Sequence, residues 1–246
     1  MRVGLSSAAA PGATLDELLG ACALRGLPAL ELREGDAHGV HPGMGVAAAS
    51  VARDAAAAAG IVITGYRTFA EVTDAAGLAA FGRALASPLI LALPGPTTTR
   101  LAAAVRLLAA GADVLIATRS GLTDGEVASA ISHGLGLAWD ADPDLEHLGA
   151  RTATLLDAAG PALRTILMIG GGPEATMHEG QGVGELMARL ALARYDGAFV
   201  VAPSTPRYQV AWDSWLGRRG GWGCGSRAAD PSLVQLDNLT VQGGIR

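Results

Sequence analysis

Residues 183–202 read VGELMARLALARYDGAFVVA, and they show the unit from which the chain is built. The amphipathic stretch over 183–195 predicts a helix that closes at Asp196-Gly197. The apolar run AFVVA at 198–202 follows at once, and it has the length of a strand that is covered on both faces. A helix that leads directly into such a strand is typical of a parallel sheet built from βαβ units.

Seven similar apolar runs of about five residues precede this one. The eight predicted strands are 2–6 (RVGLS), 28–32 (PALEL), 61–65 (IVITG), 89–93 (LILAL), 113–117 (DVLIA), 135–139 (LGLAW), 165–169 (TILMI) and 198–202 (AFVVA). The connecting segments are rich in alanine, and we predict helices at 14–25, 46–59, 99–110, 123–132 and 183–195. Eight such units predict an α/β fold, a single (β/α)₈ TIM barrel. We expect the barrel to span 1–216, with a last helix at 209–216, and a tail with Gly and Trp residues to span 217–246.

Composition excludes several classes of function. The 246 residues carry a net charge of −5, contain no lysine and are only 4% aromatic. A lysine Schiff base is therefore impossible, and the acidic balance predicts no nucleic-acid partner. No apolar run is long enough to predict a membrane span, and the first residues resemble a strand rather than a signal peptide. Cys22 and Cys224 are too few for a disulfide framework, which favours a cytoplasmic location.

The candidate site residues follow the predicted strands, because barrel enzymes place their sites at the carboxyl ends of the strands. Glu31, Asp140 and His178 are the candidate acid or base groups. The candidate ligands for a small carboxylate or phosphate substrate are four arginines and two glycines: Arg33, Arg67, Arg119, Arg207, Gly171 and Gly172. The alternative is structural, since the arginines would equally pair with carboxylates at the same strand ends. We expect His38 and His41 to be exposed in their Gly/Pro-rich loop.

Three segments resemble the xylose-isomerase-like TIM barrels, the superfamily of sugar-phosphate isomerases and epimerases. They are TLDELLGACALRGLPALELRE at 14–34, GLAWDADPD at 136–144 and EGQGVGELMARLALARYDGAFVV at 179–201. The resemblance covers most of the chain, roughly residues 2–216. It implies one divalent metal held by Glu on the fifth strand, Asp on the sixth, His on the seventh and Glu on the eighth. It also implies that the two glutamates move a proton.

The sequence departs from that ligand set at most positions. Ala117 and Ala202 replace the two glutamates, the seventh strand lacks the histidine, and Pro143 replaces a further histidine. Only Asp140 matches the implied ligands. One carboxylate holds a divalent ion weakly, so we predict no metal and no other cofactor.

The resemblance implies an isomerase, an epimerase or a related lyase that moves a proton next to a carbonyl. In this chain Arg67 or Arg119 would stabilise the oxyanion instead of a metal, and Asp140, Glu31 or His178 would exchange the proton. The alternative is a non-catalytic barrel that binds a small anion or scaffolds a partner enzyme. A DNA-repair nuclease is disfavoured by the acidic charge and the missing ligands. The Trp-bearing tail could cover a neighbouring copy, which leaves a homodimer open.

Overall fold

A computed structural model describes residues 1–93, 97–118, 124–141, 148–169 and 181–202. Eight parallel strands close into a barrel in chain order, and each lies on one of the eight predicted runs. The strands are β1 (Arg2–Ser6), β2 (Ala29–Arg33), β3 (Val62–Thr68), β4 (Leu89–Leu91), β5 (Val114–Thr118), β6 (Gly136–Ala141), β7 (Leu163–Ile169) and β8 (Ala198–Ala202). The predicted (β/α)₈ barrel is confirmed. The predicted end of the barrel at residue 216 lies outside the described residues.

Seven described helices alternate with the strands. They are α1 (Leu15–Leu24), α2 (Gly45–Ala58), α3 (Ala75–Leu85), α4 (Thr97–Ala109), α5 (Asp124–Ser132), α6 (Leu148–Ala159) and α7 (Gln181–Leu192). The predicted capping box at the start of α1 is present, because Thr14 and Glu17 each bond the other's backbone N–H. The helix predicted at 209–216 lies outside the described residues.

The core has two layers. Between strands and helices, large apolar side chains such as Leu30, Tyr66 and Phe199 are fully buried. The lumen of the barrel holds smaller residues, including Ala117 and Ala138, which cluster with Ile90 and Leu115. Small lumen residues leave room for a long side chain to cross the barrel.

Gly65 on β3 is one of these small lumen residues. A Cβ at this position would clash with the Ile90 side chain and would lie 3.7 Å from Cγ of Glu31. Glycine therefore lets β2, β3 and β4 bring their lumen side chains together just below the mouth of the barrel.

Cys22 is fully buried, with Sγ 3.8 Å from the Ala29 carbonyl oxygen, and is a core residue.

None of the described helices combines the length and apolar character that crossing a bilayer requires.

Candidate active site

Three of the predicted site residues form one cluster at the carboxyl end of the barrel. Arg67 projects from β3 into the lumen, and its Nε donates to Oε1 of Glu31 on β2 at 2.9 Å. Its Nη2 donates to Oε2 of the same carboxylate at 3.4 Å. On the other side, Nη1 lies 2.9 Å from Oδ1 of Asp140 on β6 and donates to Oδ2 at 3.1 Å. One guanidinium therefore joins two carboxylates from distant strands.

The three side chains of this cluster differ in the fraction of their surface that is exposed. Glu31 and Arg67 are 0% and 2% exposed, whereas the side chain of Asp140 is 9% exposed. Desolvation alone would lower the pKa of Arg67, but the charges and hydrogen bonds of Glu31 and Asp140 outweigh it and raise that pKa. Arg67 therefore stays cationic. Asp140 is the member of the cluster that reaches furthest toward solvent.

Arg33 lies apart from this cluster, at the end of β2. Its guanidinium carbon lies 5.5 Å from the centre of the Phe69 ring, and its Nε lies 3.5 Å from Oδ1 of Asp36. Asp36 is itself oriented by Ser7, whose hydroxyl donates to Oδ2 at 2.6 Å. Arg33 is thus held in one orientation while its side chain stays 39% exposed, which suits contact with a ligand.

The Glu34 side chain links the loop after β2 to the end of β3. Glu34 accepts hydrogen bonds from the Thr68 hydroxyl and from the backbone N–H groups of Phe69 and Ala70. Desolvation would raise the pKa of Glu34, but these three bonds outweigh it and lower that pKa. Glu34 is therefore a charged structural link between the loops that follow β2 and β3.

The expectation that His38 is exposed is wrong, whereas His41 is exposed as expected. His38 is 5% exposed, and its Nδ1 accepts the Val40 N–H at 3.0 Å. Its Nε2 therefore carries the proton and donates to the Arg33 carbonyl oxygen at 2.8 Å. Desolvation lowers the pKa of His38, so the neutral imidazole is the folded form. Loop composition did not reveal that this loop folds back on the end of β2.

Arg100 is a residue of this end of the barrel that the sequence analysis missed. It lies in the first turn of α4, and its Nη1 donates to the Ala117 carbonyl oxygen at the end of β5 at 3.3 Å. It therefore brings a positive charge next to the position where alanine replaces an implied glutamate. The only sequence signal was an arginine at the start of a predicted helix, which is common on protein surfaces.

The remaining predicted site residues lie outside the described residues. They are His178, Arg119, Arg207, Gly171 and Gly172. Their roles stay predictions.

The described residues do not fit the divalent metal that the family resemblance implies. Among them, no three His, Cys, Asp or Glu side chains group closely enough to hold an ion. Ala117 and Ala202 are buried at the strand ends where glutamates are implied. The one matching ligand, Asp140, is held by the Arg67 guanidinium, so a cation already lies against it.

A cavity of about 580 Å³ opens at the opposite, amino-terminal end of the barrel. Its lining includes Arg164, whose guanidinium forms two hydrogen bonds to the Asp113 carboxylate, and Arg83, which donates to the Ala110 carbonyl oxygen. These contacts link neighbouring strands and helices. We place the candidate active site at the other end, where barrel enzymes have it and where the buried charges converge.

Solved structures share this architecture. A xylose isomerase domain protein from Planctomyces limnophilus is 13% identical with a TM-score of 0.58, over 89% of this chain and 95% of that chain. A 3-keto-D-glucoside 4-epimerase from E. coli is 12% identical with a TM-score of 0.60, over 89% and 99%. A D-allulose 3-epimerase from Methylomonas sp. is 15% identical with a TM-score of 0.60, over 87% and 90%.

At these identities the likeness establishes the fold and not the activity. No protein-family model matches the sequence, and no curated protein matches it. The closed parallel barrel and the structural matches agree with the resemblance carried by the sequence segments. The chain has the fold of the xylose-isomerase-like TIM barrels.

Proposed function

We propose that this barrel is an isomerase- or epimerase-like enzyme that moves a proton at the carbon next to a carbonyl group, on a small anionic substrate and without a divalent metal. The observation that carries the proposal is the pairing of Asp140 with Arg67 at the carboxyl end of the barrel. A carboxylate and a fixed cation at one point are the two groups that such a proton transfer needs.

Asp140 is the acid and base of this proposal. Its carboxylate removes the proton, the electrons of the C–H bond form a C=C bond, and the π electrons of the carbonyl group move to its oxygen. In an isomerisation the proton of the neighbouring hydroxyl group then passes to that oxygen within the substrate, and the protonated carboxyl group returns the first proton to the former carbonyl carbon. Arg67 stays charged because its pKa is raised, so it supplies positive charge beside the oxygen that becomes negative. Glu31 is fully buried with both oxygens on Arg67, and it acts by positioning the guanidinium.

One carboxylate favours isomerisation over epimerisation. A single group that takes and returns a proton works on one face of the intermediate, which suits transfer between neighbouring carbons. Inversion at one carbon requires a second group on the opposite face. Of the candidates, His178 lies outside the described residues and is the residue to test for that second role.

Arginines at the rim would bind the anionic group of the substrate. Arg67 lies between two carboxylates in the lumen, so it is not placed to bind the anionic group of the substrate. Arg33 and Arg100 bring further positive charge to the same end, and guanidinium groups bind carboxylate or phosphate in bidentate fashion. The predicted Arg119 and Arg207 would complete this set.

Proton exchange into deuterated water tests the proposal. Candidate hydroxy acids, keto acids and sugar phosphates are incubated with the protein, and exchange at the carbon next to the carbonyl is followed by NMR. Asp140→Asn keeps the shape but removes the base, so the exchange rate should fall by about 10²–10⁴-fold. Asp54→Asn, on the exposed face of α2, is the matched control and should leave the rate unchanged. Full exchange in Asp140→Asn would exclude Asp140 as the base.

A non-catalytic anion-binding barrel is the second candidate. The observation in its favour is that Arg67 bonds both oxygens of Glu31 and also Asp140, as a structural ion pair would. This candidate predicts that an anion from the same panel binds while none of the panel exchanges a proton.

A further inference from the structure

The cavity of about 580 Å³ at the amino-terminal end of the barrel has the size of a ligand site. It reaches the starts of β1, β3, β7 and β8 and the turns that precede β4 and β5. Small-molecule sites in proteins have volumes of about 300–1,000 Å³. We propose that this cavity binds a small organic phosphate, with the phosphate group between Arg83 and Arg164. This site goes beyond the proposed proton transfer and does not depend on it.

Two guanidinium groups that line the cavity flank the turn before β5. Nη1 of Arg83, on α3, donates to the Ala110 carbonyl oxygen at 2.7 Å. Nη1 and Nη2 of Arg164, on β7, donate to the two carboxylate oxygens of Asp113 at 2.6 and 2.8 Å. Ala110 and Asp113 are three positions apart, so at most about 11 Å separates their Cα atoms. Two positive charges therefore lie on either side of one short turn.

Glycine leaves room for both arginines at this end of the barrel. A Cβ at Gly111 would lie 3.1 Å from Nη1 of Arg83, and a Cβ at Gly136 would lie 3.2 Å from Cδ of Arg164. Gly111 also has a φ of 81°, which favours glycine on its own account. With glycine at both positions, the two arginine side chains lie close against the barrel.

The charge of the lining favours an anion. Three arginines and two aspartates line the cavity, so its net charge is positive although the whole chain carries −5. Among the described residues the Arg83 guanidinium donates to the Ala110 carbonyl oxygen alone, so most of its N–H groups are available to a ligand. Ser87 and Thr165 add hydroxyl groups to the same lining.

The geometry of the donors favours phosphate over carboxylate. A single guanidinium fork satisfies both oxygens of a carboxylate, as Arg164 does with Asp113. A phosphate group has three free oxygens and a charge of about −1.5 to −2 at pH 7, so it can accept from two guanidinium groups at once. Barrel enzymes react at the other end of the strands, and we therefore assign this cavity to binding and not to catalysis.

Asp113 should limit the affinity of this site, because its carboxylate occupies the Arg164 fork. The side chains of Arg164 and Asp113 are 43% and 51% exposed, and an ion pair this open to water is weak enough for a ligand to displace. Asp113→Asn keeps the shape of the side chain but removes the competing charge. It should therefore strengthen phosphate binding, whereas a purely structural ion pair predicts no gain.

The test is an NMR titration of the full chain with inorganic phosphate, in a phosphate-free buffer at constant ionic strength. The amide signals of Gly111 and Gly197, which line the cavity, report on this end of the barrel, and Gly39 in the loop after β2 reports on the other end. In the wild-type chain the signals of Gly111 and Gly197 should shift to saturation with a Kd on the order of 1 mM. Glycerol 3-phosphate, whose small body a cavity of this size admits, should bind at least as tightly.

Three variants separate a ligand site from general surface charge. Arg83→Met should weaken phosphate binding at least about fivefold, and Asp113→Asn should strengthen it about three- to fivefold. Arg53→Met is the matched control, because Arg53 also pairs with an aspartate and donates to a backbone carbonyl oxygen, that of Ala84, but does not line the cavity. It should leave the Kd unchanged.

Four outcomes overturn the proposal. They are saturable shifts at Gly39 without shifts at Gly111 and Gly197, glycerol 3-phosphate that binds more weakly than inorganic phosphate, an Asp113→Asn chain that binds phosphate no better than wild type, and an Arg53→Met chain that loses as much affinity as Arg83→Met. Proton exchange into substrate is not part of these measurements. A failure here therefore leaves the proposed proton transfer untouched, and the loss of that activity would leave this site standing.

Discussion

Arg67 and Asp140 meet across the lumen of the barrel although they come from β3 and β6 and are 73 residues apart in sequence. The guanidinium reaches past the small residues of the intervening strands, so two halves of the barrel share one buried ion pair. Removing one partner of such a buried pair is costly, because the other then keeps its charge in the lumen with less compensation than before.

Removing the guanidinium should therefore destabilise the fold strongly. We expect Arg67→Met to lower the free energy of unfolding by about 3–5 kcal/mol at pH 7 without added metal, measured by urea denaturation. The triple variant Arg67→Met/Glu31→Gln/Asp140→Asn, which removes all three charges, should recover much of that loss. If the single variant matches wild-type stability, the cluster does not hold the barrel together.

The fold could be predicted from the sequence because strands covered on both faces are apolar at most positions. The run at 198–202 coincides with β8 for this reason. Hydropathy does not reveal which residues of such a strand face the lumen, since both faces are apolar. The lumen position of Arg67 becomes clear only from its contacts with Glu31 on β2 and Asp140 on β6.

The sequence pointed to three residues of the candidate site and offered pairing of the arginines with carboxylates as an alternative, but it did not indicate which side chains meet. Glu31, Arg67 and Asp140 were identified because polar groups end apolar strands. Their contact requires closure of the barrel, which brings β2, β3 and β6 to one end and is not encoded in local spacing. Burial of His38 was missed for a related reason, since its partners are backbone groups whose positions depend on how the loop folds.

Gly197 should tolerate no side chain, whereas Gly20 should accept one. A Cβ at Gly197 would clash with the Tyr195 ring and the Arg164 carbonyl oxygen, because the Tyr195 hydroxyl turns back to the Ala198 carbonyl oxygen at 3.1 Å. We expect Gly197→Ala to destabilise the protein by about 1–3 kcal/mol. Gly20 lies exposed in α1 with open space around it, so Gly20→Ala should stabilise by about 0.5–1 kcal/mol. Equal effects of the two variants in urea denaturation would contradict this account of the Tyr-Asp-Gly turn.

Cys22 should be inert while the protein is folded. Desolvation raises the pKa of its thiol to about 11, and the side chain has no exposed surface. In a Cys224→Ser variant, where Cys22 is the remaining cysteine, an aromatic disulfide reagent at pH 8 should react at least about 100-fold faster in urea than in buffer. Similar rates in both conditions would show that α1 opens readily from β2.

His38 should make the stability of the protein depend on pH in the acidic range. Its pKa is lowered in the folded state, so between that value and the ordinary one of about 6.5 the unfolded chain binds more protons than the folded chain. The contribution of His38 is therefore fully present above about pH 6.5 and is lost as the pH falls below it. Protonation would also place a hydrogen on Nδ1, where the Val40 N–H is now accepted.

We expect the difference in unfolding free energy between pH 7.5 and pH 5.5 to be smaller in His38→Gln than in wild type, by up to about 1.4 kcal/mol per pH unit below the ordinary pKa. His41→Gln removes an exposed histidine of the same loop and should keep the wild-type pH dependence. Identical pH dependence in His38→Gln and wild type would mean that the loop opens to water around the imidazole.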